Sequence, residues 1–239
     1  MKTVGMLGGM SWESTSSYYR ALNEGIKARL GGLHSAKIAM VSVDFHEIEV
    51  LQRSGDWDAT AVILADAARQ VQAAGADFLL ICTNTMHKVA NEVAAAVDIP
   101  LLHLADATGQ RLQDNGINTV GLLGTRFTME QDFYKQRLVE NFGLNVLVPD
   151  PEGIELVHKV IYDELCLGQI VEDSRNAYLQ IIDRLQEQGA EAVILGCTEI
   201  ALLLKQQHTS MPLYDTTAIH CEAAVDYALH AQPIDESKE

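Results

Sequence analysis

The stretch GADFLLICTNT, residues 75–85, is answered 114 residues later by GAEAVILGCTE, residues 189–199. Each begins at a glycine that closes an amphipathic segment, runs through apolar residues without polar alternation, and ends in a cluster of small polar side chains. A short strand that is apolar on both faces is buried on both, which is the condition of a parallel sheet covered by helices. Two more pieces repeat in the same order: TVGMLGG (3–9) with TVGLLGT (119–125), 116 residues apart, and IPLLHL (99–104) with MPLYDT (211–216), 112 apart. Nearly constant spacing of three matched pieces predicts two similar α/β lobes with parallel sheets, related by a pseudo-two-fold axis, with a cleft between them. Residues 1–100 with 212–239 are assigned to the first lobe and 101–211 to the second.

The strand candidates are KTVGML (2–7), AKIAMVSVDF (36–45), DFLLICT (77–83), PLLHLAD (100–106), TVGLLG (119–124), NVLVPD (145–150) and AVILGC (192–197). ATAVILADAARQVQAAG (59–75) and AYLQIIDRLQEQG (177–189) are the clearest helices, each stopping at a glycine.

Register follows from the repeat. Aligning Gly75 on Gly189 sets Cys82 opposite Gly196, Thr83 opposite Cys197, Asn84 opposite Thr198 and Thr85 opposite Glu199. Side chains alternate faces along a strand, so Cys82, one residue off, points away from the cleft and reads as buried filler. Ligands of open parallel sheets sit at the carboxyl ends of the strands. A small carboxylate there has Thr83 on one side and Cys197 on the other, with Asn84, Thr85, Thr125 and Thr198 as amide and hydroxyl partners. Such a two-sided site suits taking a proton from one face of a carbon and returning one to the other. A thiol, whose ordinary pKa is about 8.5, becomes a base when a positive partner or helix N-terminus stabilises the thiolate. A threonine hydroxyl can deliver or relay a proton but is a poor base.

Composition narrows the alternatives. Of 239 residues, 17 are basic and 33 acidic, a net charge of −16 with the acidic residues scattered, so nucleic acid and anionic membrane are poor partners. No apolar run approaches the ~20 residues of a membrane span, and MKTVGMLGG lacks the features of a signal peptide, so a cytoplasmic location is expected. The four cysteines lack CxxC spacing, HEIEV (46–50) has Val50 where a zinc-binding HExxH needs histidine, and GMLGGM (5–10) is not a GxGxxG fingerprint. Neither a metal nor a nucleotide cofactor is expected. Ser11, Ser14 and Ser16 either cap a helix through YYRALNEGIKARL or reach the site.

LGGMSWEST (7–15), CTNTMH (82–87), GTRFTM (124–129), IYDEL (161–165) followed by Gly168, and GCTEI (196–200) together resemble the aspartate/glutamate racemase family. The resemblance runs from Lys2 to about Tyr227 and is similar to the broad-specificity or L-aspartate/glutamate-preferring amino-acid racemases of enterobacteria. It implies a homodimeric racemase acting on aspartate or glutamate as a small-molecule amino-acid substrate, which needs neither pyridoxal phosphate nor metal. One residue from each lobe then moves the α-proton. The family pattern is Cys-Asn-Thr where this chain has Thr83-Asn84-Thr85, so Thr83 stands in the first cysteine's place and Cys197 in the second's. Met10, Gln52, Asn84, Thr85, Thr198 and Glu199 match substrate-contacting motifs. Cys166 stands where aspartate-specific members often carry lysine, leaving Gln52 or Arg53 to meet the substrate side chain. With the second cysteine addressing the L-enantiomer, the resemblance implies a preference for L-substrate. Two alternatives are a single-cysteine decarboxylase or isomerase of the same fold, resembling arylmalonate decarboxylases, and a non-catalytic amino-acid-binding protein.

Overall fold

Apolar runs become central strands here because helices cover both of their faces, leaving no face to mark with polar residues. The structure, a computed structural model, describes residues 1–230. The first lobe contains β1 (Val4–Gly8), α1 (Trp12–Leu30), β2 (Ile38–Ser42), α2 (Phe45–Ser54), α3 (Trp57–Ala73), β3 (Phe78–Ile81) and α4 (Ala90–Ala95), with parallel strand order β2-β1-β3. The second contains α5 (Leu104–Asp114), β4 (Thr119–Gly124), α6 (Arg126–Glu130), α7 (Asp132–Phe142), β5 (Asn145–Leu147), α8 (Pro151–Asp163), α9 (Glu172–Glu187), β6 (Ala192–Gly196), α10 (Ile200–Leu203) and β7 (Leu213–Asp215), in parallel order β5-β4-β6-β7. A last helix, α11 (Thr216–Leu229), returns to pack on α1 and α5.

The repeat is reproduced residue by residue. Val4 pairs with Phe78 as Val120 pairs with Ala192, and Leu7 with Ile81 as Leu123 with Leu195. Leu79 bridges Leu101 where Val193 pairs with Leu213. Within each sheet alternate residues supply separate cores: Leu7, Leu79 and Ile81 pack beneath α3, whereas Val4, Met6, Phe78 and Leu80 meet Tyr18, Leu22 and Ile26 of α1. The second sheet divides likewise, Leu123, Val193 and Leu195 on one side and Val120, Leu122, Ala192 and Ile194 on the other.

Two sequence expectations need correction. PLLHLAD is not a strand throughout: Leu101 makes a single bridge, and α5 begins at Leu104, where the His103 ring accepts the Ala105 N–H and opens the helix. The boundary at 212 also moves, since β7 pairs with β6 and carries 213–215 into the second sheet. Helix α11 lies with the first lobe, Cys221, Ala224, Val225 and Ala228 joining Val4, Tyr18, Leu22 and Ile26 in one core. Residues 231–239, including the polar tail PIDESKE, lie outside the described residues.

Where the chain passes between lobes, His87, His103 and His220 are buried together, with ring centroids 4.6 Å apart for His87–His103 and 6.0 Å for His87–His220. Burial lowers all three pKa values, His103 and His220 to about 3 and His87 well below its ordinary value. In the unfolded chain each takes up a proton near pH ~6.5 that the folded chain refuses. Stability therefore falls as pH drops below that value, by up to about 1.4 kcal/mol per pH unit for each histidine. Urea unfolding between pH 7 and 4.5 should show this loss, and His103→Asn, which retains a helix-capping acceptor, should reduce its slope by about one proton's worth. An unchanged slope in the variant contradicts this reading.

Candidate active site

The polar clusters that follow β3 and β6 emerge at the carboxyl ends of the two parallel sheets, and the sheets present those ends to each other. Thr83 lies two residues beyond the paired Ile81, and Cys197 two beyond the paired Leu195. Both line one cleft. The other residues singled out from sequence, Met10, Gln52, Asn84, Thr85, Thr125, Thr198 and Glu199, line it too. Cys82 does not; it is fully buried in the α1-side core with Cys221. Arg53 stays outside, its side chain 77% exposed and paired with Glu49. It lines an adjoining pocket that shares Gln52 and Tyr162 with the cleft.

Hydroxyls span the lobes. Thr85 Oγ1 and Thr125 Oγ1 lie 3.0 Å apart, and Ser14 Oγ is 2.9 Å from Thr198 Oγ1 while donating to the Cys82 carbonyl at 2.7 Å. Thr217 donates to Thr198 Oγ1 at 3.0 Å. Ser11 does both things its sequence left open: it caps α1, accepting the Ser14 N–H, and its hydroxyl donates to Glu199 at 2.8 Å. Ser11 and Ser14, together with Phe45, Ile161 and Tyr162 on the cleft wall, were not assigned to the site from sequence. The serines carry the signature of a helix cap, which conceals any second role, and Tyr162, next to last in α8, entered only as part of the IYDEL motif, with no role attached to its side chain.

Two amides have unused acceptors. Asn84 donates from Nδ2 to Thr216 at 3.2 Å, while its buried Oδ1 has no partner. Gln52 Nε2 meets the Met86 sulfur at 2.9 Å, and its buried Oε1 is likewise unpaired. Unpaired buried carbonyl oxygens invite an N–H donor.

Cys197 has no cationic partner. Among the described residues no Lys, Arg or His lines the cleft, and the thiol donates instead to Glu199 Oε2 at 2.9 Å. Burial first, then the Glu199 carboxylate and Cys166, raise its pKa well above the usual thiol value. The positive neighbour expected to stabilise a thiolate is therefore absent from the cleft wall, and the thiol is held in its protonated form. Cys166 is raised to about 12, again by burial and then by Glu199, and Tyr162 is raised by burial and then by Cys197. Among the described residues no group of three or more His, Cys, Asp or Glu side chains is placed to hold a metal ion.

Residues 7–224 match the family described as Asp/Glu/hydantoin racemase. The chain belongs to that family. Its reaction class is accordingly that of an amino-acid racemase, an isomerase. A Yersinia pestis protein described as a candidate Asp/Glu racemase is 56% identical, with 96% of this chain and 100% of that one covered and a TM-score of 0.91. An aspartate racemase homologue from Pyrococcus horikoshii is 32% identical with a TM-score of 0.84, over 96% of this chain and 100% of that one. The broad specificity amino-acid racemase RacX of Bacillus subtilis is 22% identical over 96% of this chain and 99% of its own.

The electrostatics of the racemase cleft give a chemical test. In a Cys166→Ser background, Glu199→Gln removes the negative neighbour and should increase alkylation of Cys197 by iodoacetamide at pH 7.5, about tenfold for each unit by which the thiol pKa falls. An unchanged or slower reaction contradicts the assignment of Glu199 as the group that holds the thiol protonated.

Proposed function

We propose that the protein racemises free amino acids without pyridoxal phosphate or metal, Cys197 removing the Cα proton of the L-enantiomer and Thr83 supplying one to the opposite face. The observation that carries this reading is the position of the two residues, at equivalent strand ends of two repeated lobes and lining the same cleft. The cleft wall lacks a cation, and the substrate brings one. Its ammonium finds an acceptor in the free Asn84 Oδ1 and lowers the energy of a nearby thiolate. The thiol proton then passes to Glu199 Oε2, the thiolate takes the Cα proton, and negative charge moves onto the substrate carboxylate. Thr85, Thr125 and Thr198 offer hydroxyls to that carboxylate, and Met10 and Gln52 complete the wall. Thr83 gives its hydroxyl proton to the other face and recovers one from solvent, while Glu199 releases to solvent the proton it received, since Cys197 now carries the hydrogen taken from Cα.

Threonine ionises far less readily than cysteine, so turnover from the D-side is slow. The enantiomers are equally stable, which requires equal kcat/KM in the two directions. The preference for L-substrate therefore appears in kcat and is matched by KM. Aspartate and glutamate are the substrates to which the sequence resemblance points, but on the cleft wall itself a second carboxylate meets only neutral donors, Gln52 and Tyr162 among them, with Arg53 set back in the adjoining pocket. We infer broad side-chain acceptance, in keeping with the name of the Bacillus subtilis relative. The proposal includes a homodimer in the cytoplasm; no helix of the described residues is long and apolar enough to cross a membrane.

Conversion of L- to D-amino acid, followed by circular dichroism, should vanish in Cys197→Ala and fall by about 100-fold or more in Thr83→Ala, the scale of losing a general acid. In the wild type, kcat/KM for glutamine should not fall more than about tenfold below that for glutamate, since a strong bias toward the acid needs a cationic partner that the cleft wall lacks. Full activity in Cys197→Ala overturns the reaction scheme, and a large bias toward glutamate overturns the inference on side chains.

A further inference from the structure

Thr83 is held from behind by a group outside the cleft. His87, in the tight turn Thr85–Val89 that follows the strand, is buried, and its Nδ1 lies 2.8 Å from the Thr83 carbonyl oxygen. Its Nε2 lies 3.2 Å from the backbone nitrogen of Leu104. A carbonyl can only accept and a backbone N–H can only donate, so the proton resides on Nδ1 and Nε2 is bare. Both ring nitrogens are thus committed, and the tautomer is set from both ends.

The two anchors belong to different parts of the molecule. Thr83 follows β3 of the first sheet, two residues past its end, whereas Leu104 opens α5, which packs against Val120, Leu122, Ala192 and Ile194 beneath the second. Neighbouring histidines complete the support. His220 Nε2 donates to the Leu102 carbonyl at 2.8 Å and its Nδ1 accepts from Tyr18 Oη at 2.9 Å, while the His103 ring caps α5. Burial, His103 and the more distant Arg137 keep His87 neutral, and Arg137 is itself paired with Asp106 of α5. The repeat sharpens the point: the position equivalent to His87 in the second lobe is Ala201, and the Cys197 carbonyl accepts the Ile200 N–H at 3.1 Å. An ordinary backbone turn supports the cysteine; an imidazole supports the threonine.

We infer that His87 is a positioning residue for the Thr83 face of the reaction, coupling the placement of Thr83 to the start of α5. The inference rests on the proposed role of Thr83 as proton donor. Misplacing a reacting group by about 1 Å costs on the order of 100-fold, and such a loss should fall on one face alone. When Thr83 is displaced the carbanion returns to Cys197, whose thiol is hydrogen-bonded to Glu199 at the edge of an open cleft and can trade its proton with solvent between returns.

The test follows loss of the L-substrate Cα proton by NMR in deuterated water alongside formation of the D-enantiomer. Wild type, His87→Leu and His87→Gln are compared, with thermal melts to establish folding. His87→Leu should slow D-enantiomer formation by roughly 10- to 100-fold while wash-out from the L-form changes less than about twofold. His87→Gln, whose amide has both a donor and an acceptor, should recover much of the loss. Equal decline of both rates in a folded leucine variant, or undiminished D-enantiomer formation, overturns the inference. Absence of wash-out and inversion in the wild type instead overturns the two-face reading on which it depends. Nitrogen-15 spectra of histidine-labelled wild type test it without substitution: an Nδ1-protonated His87 that persists from pH 8 to 5 is expected, and an Nε2-protonated or titrating ring overturns it.

Discussion

Two parallel sheets direct their carboxyl ends at each other, and the gap between them is crossed by hydroxyl groups rather than by apolar packing. The contacts Ser11–Glu199, Ser14–Thr198 and Thr85–Thr125 hold the lobes in register. Each uses a residue from a strand end or from the first turn of the following helix, where backbone N–H groups are unsatisfied and small polar side chains are favoured. The same residue types that close the helices therefore build the cleft wall. Four apolar cores, one on each face of each sheet, fix the strands rigidly enough for these short side chains to meet.

The cleft is unusual in the charge it lacks. A thiol beside a carboxylate, with no cation on the wall, rests in its protonated form. In the scheme proposed above, arrival of a zwitterion changes that balance, because the reactant supplies the positive charge. Such an arrangement limits adventitious reaction of the thiol and links its ionisation to substrate binding. It also leaves the side-chain end of the cleft without strong charge discrimination.

The two-lobe repeat and the register that sets Thr83 opposite Cys197 were legible in the sequence because a parallel strand has a period of two and the chain repeats itself. Once Gly75 and Gly189 are aligned, only one register remains, and it turns Cys82 into the core. Features that depend on contacts between distant segments were not legible. Ser14 bonds to Thr198, 184 residues away, and nothing in a helix-cap pattern signals that reach. The short β7 and the truncated strand at Leu101 share a spacing but differ in pairing, so their motif alone could not place the lobe boundary. His87 was read only as part of a family motif; its commitment at both nitrogens appears when Thr83 and Leu104 are brought to either side of the ring.

The most direct measurement is the isotopic composition of the first D-enantiomer formed from protiated L-substrate in deuterated water. Two groups acting on opposite faces predict that essentially every D-molecule carries solvent deuterium at Cα from the earliest turnover, since the proton taken by Cys197 cannot reach the other face. D-product that retains the substrate's own protium would mean a single group serving both faces, and would contradict the account.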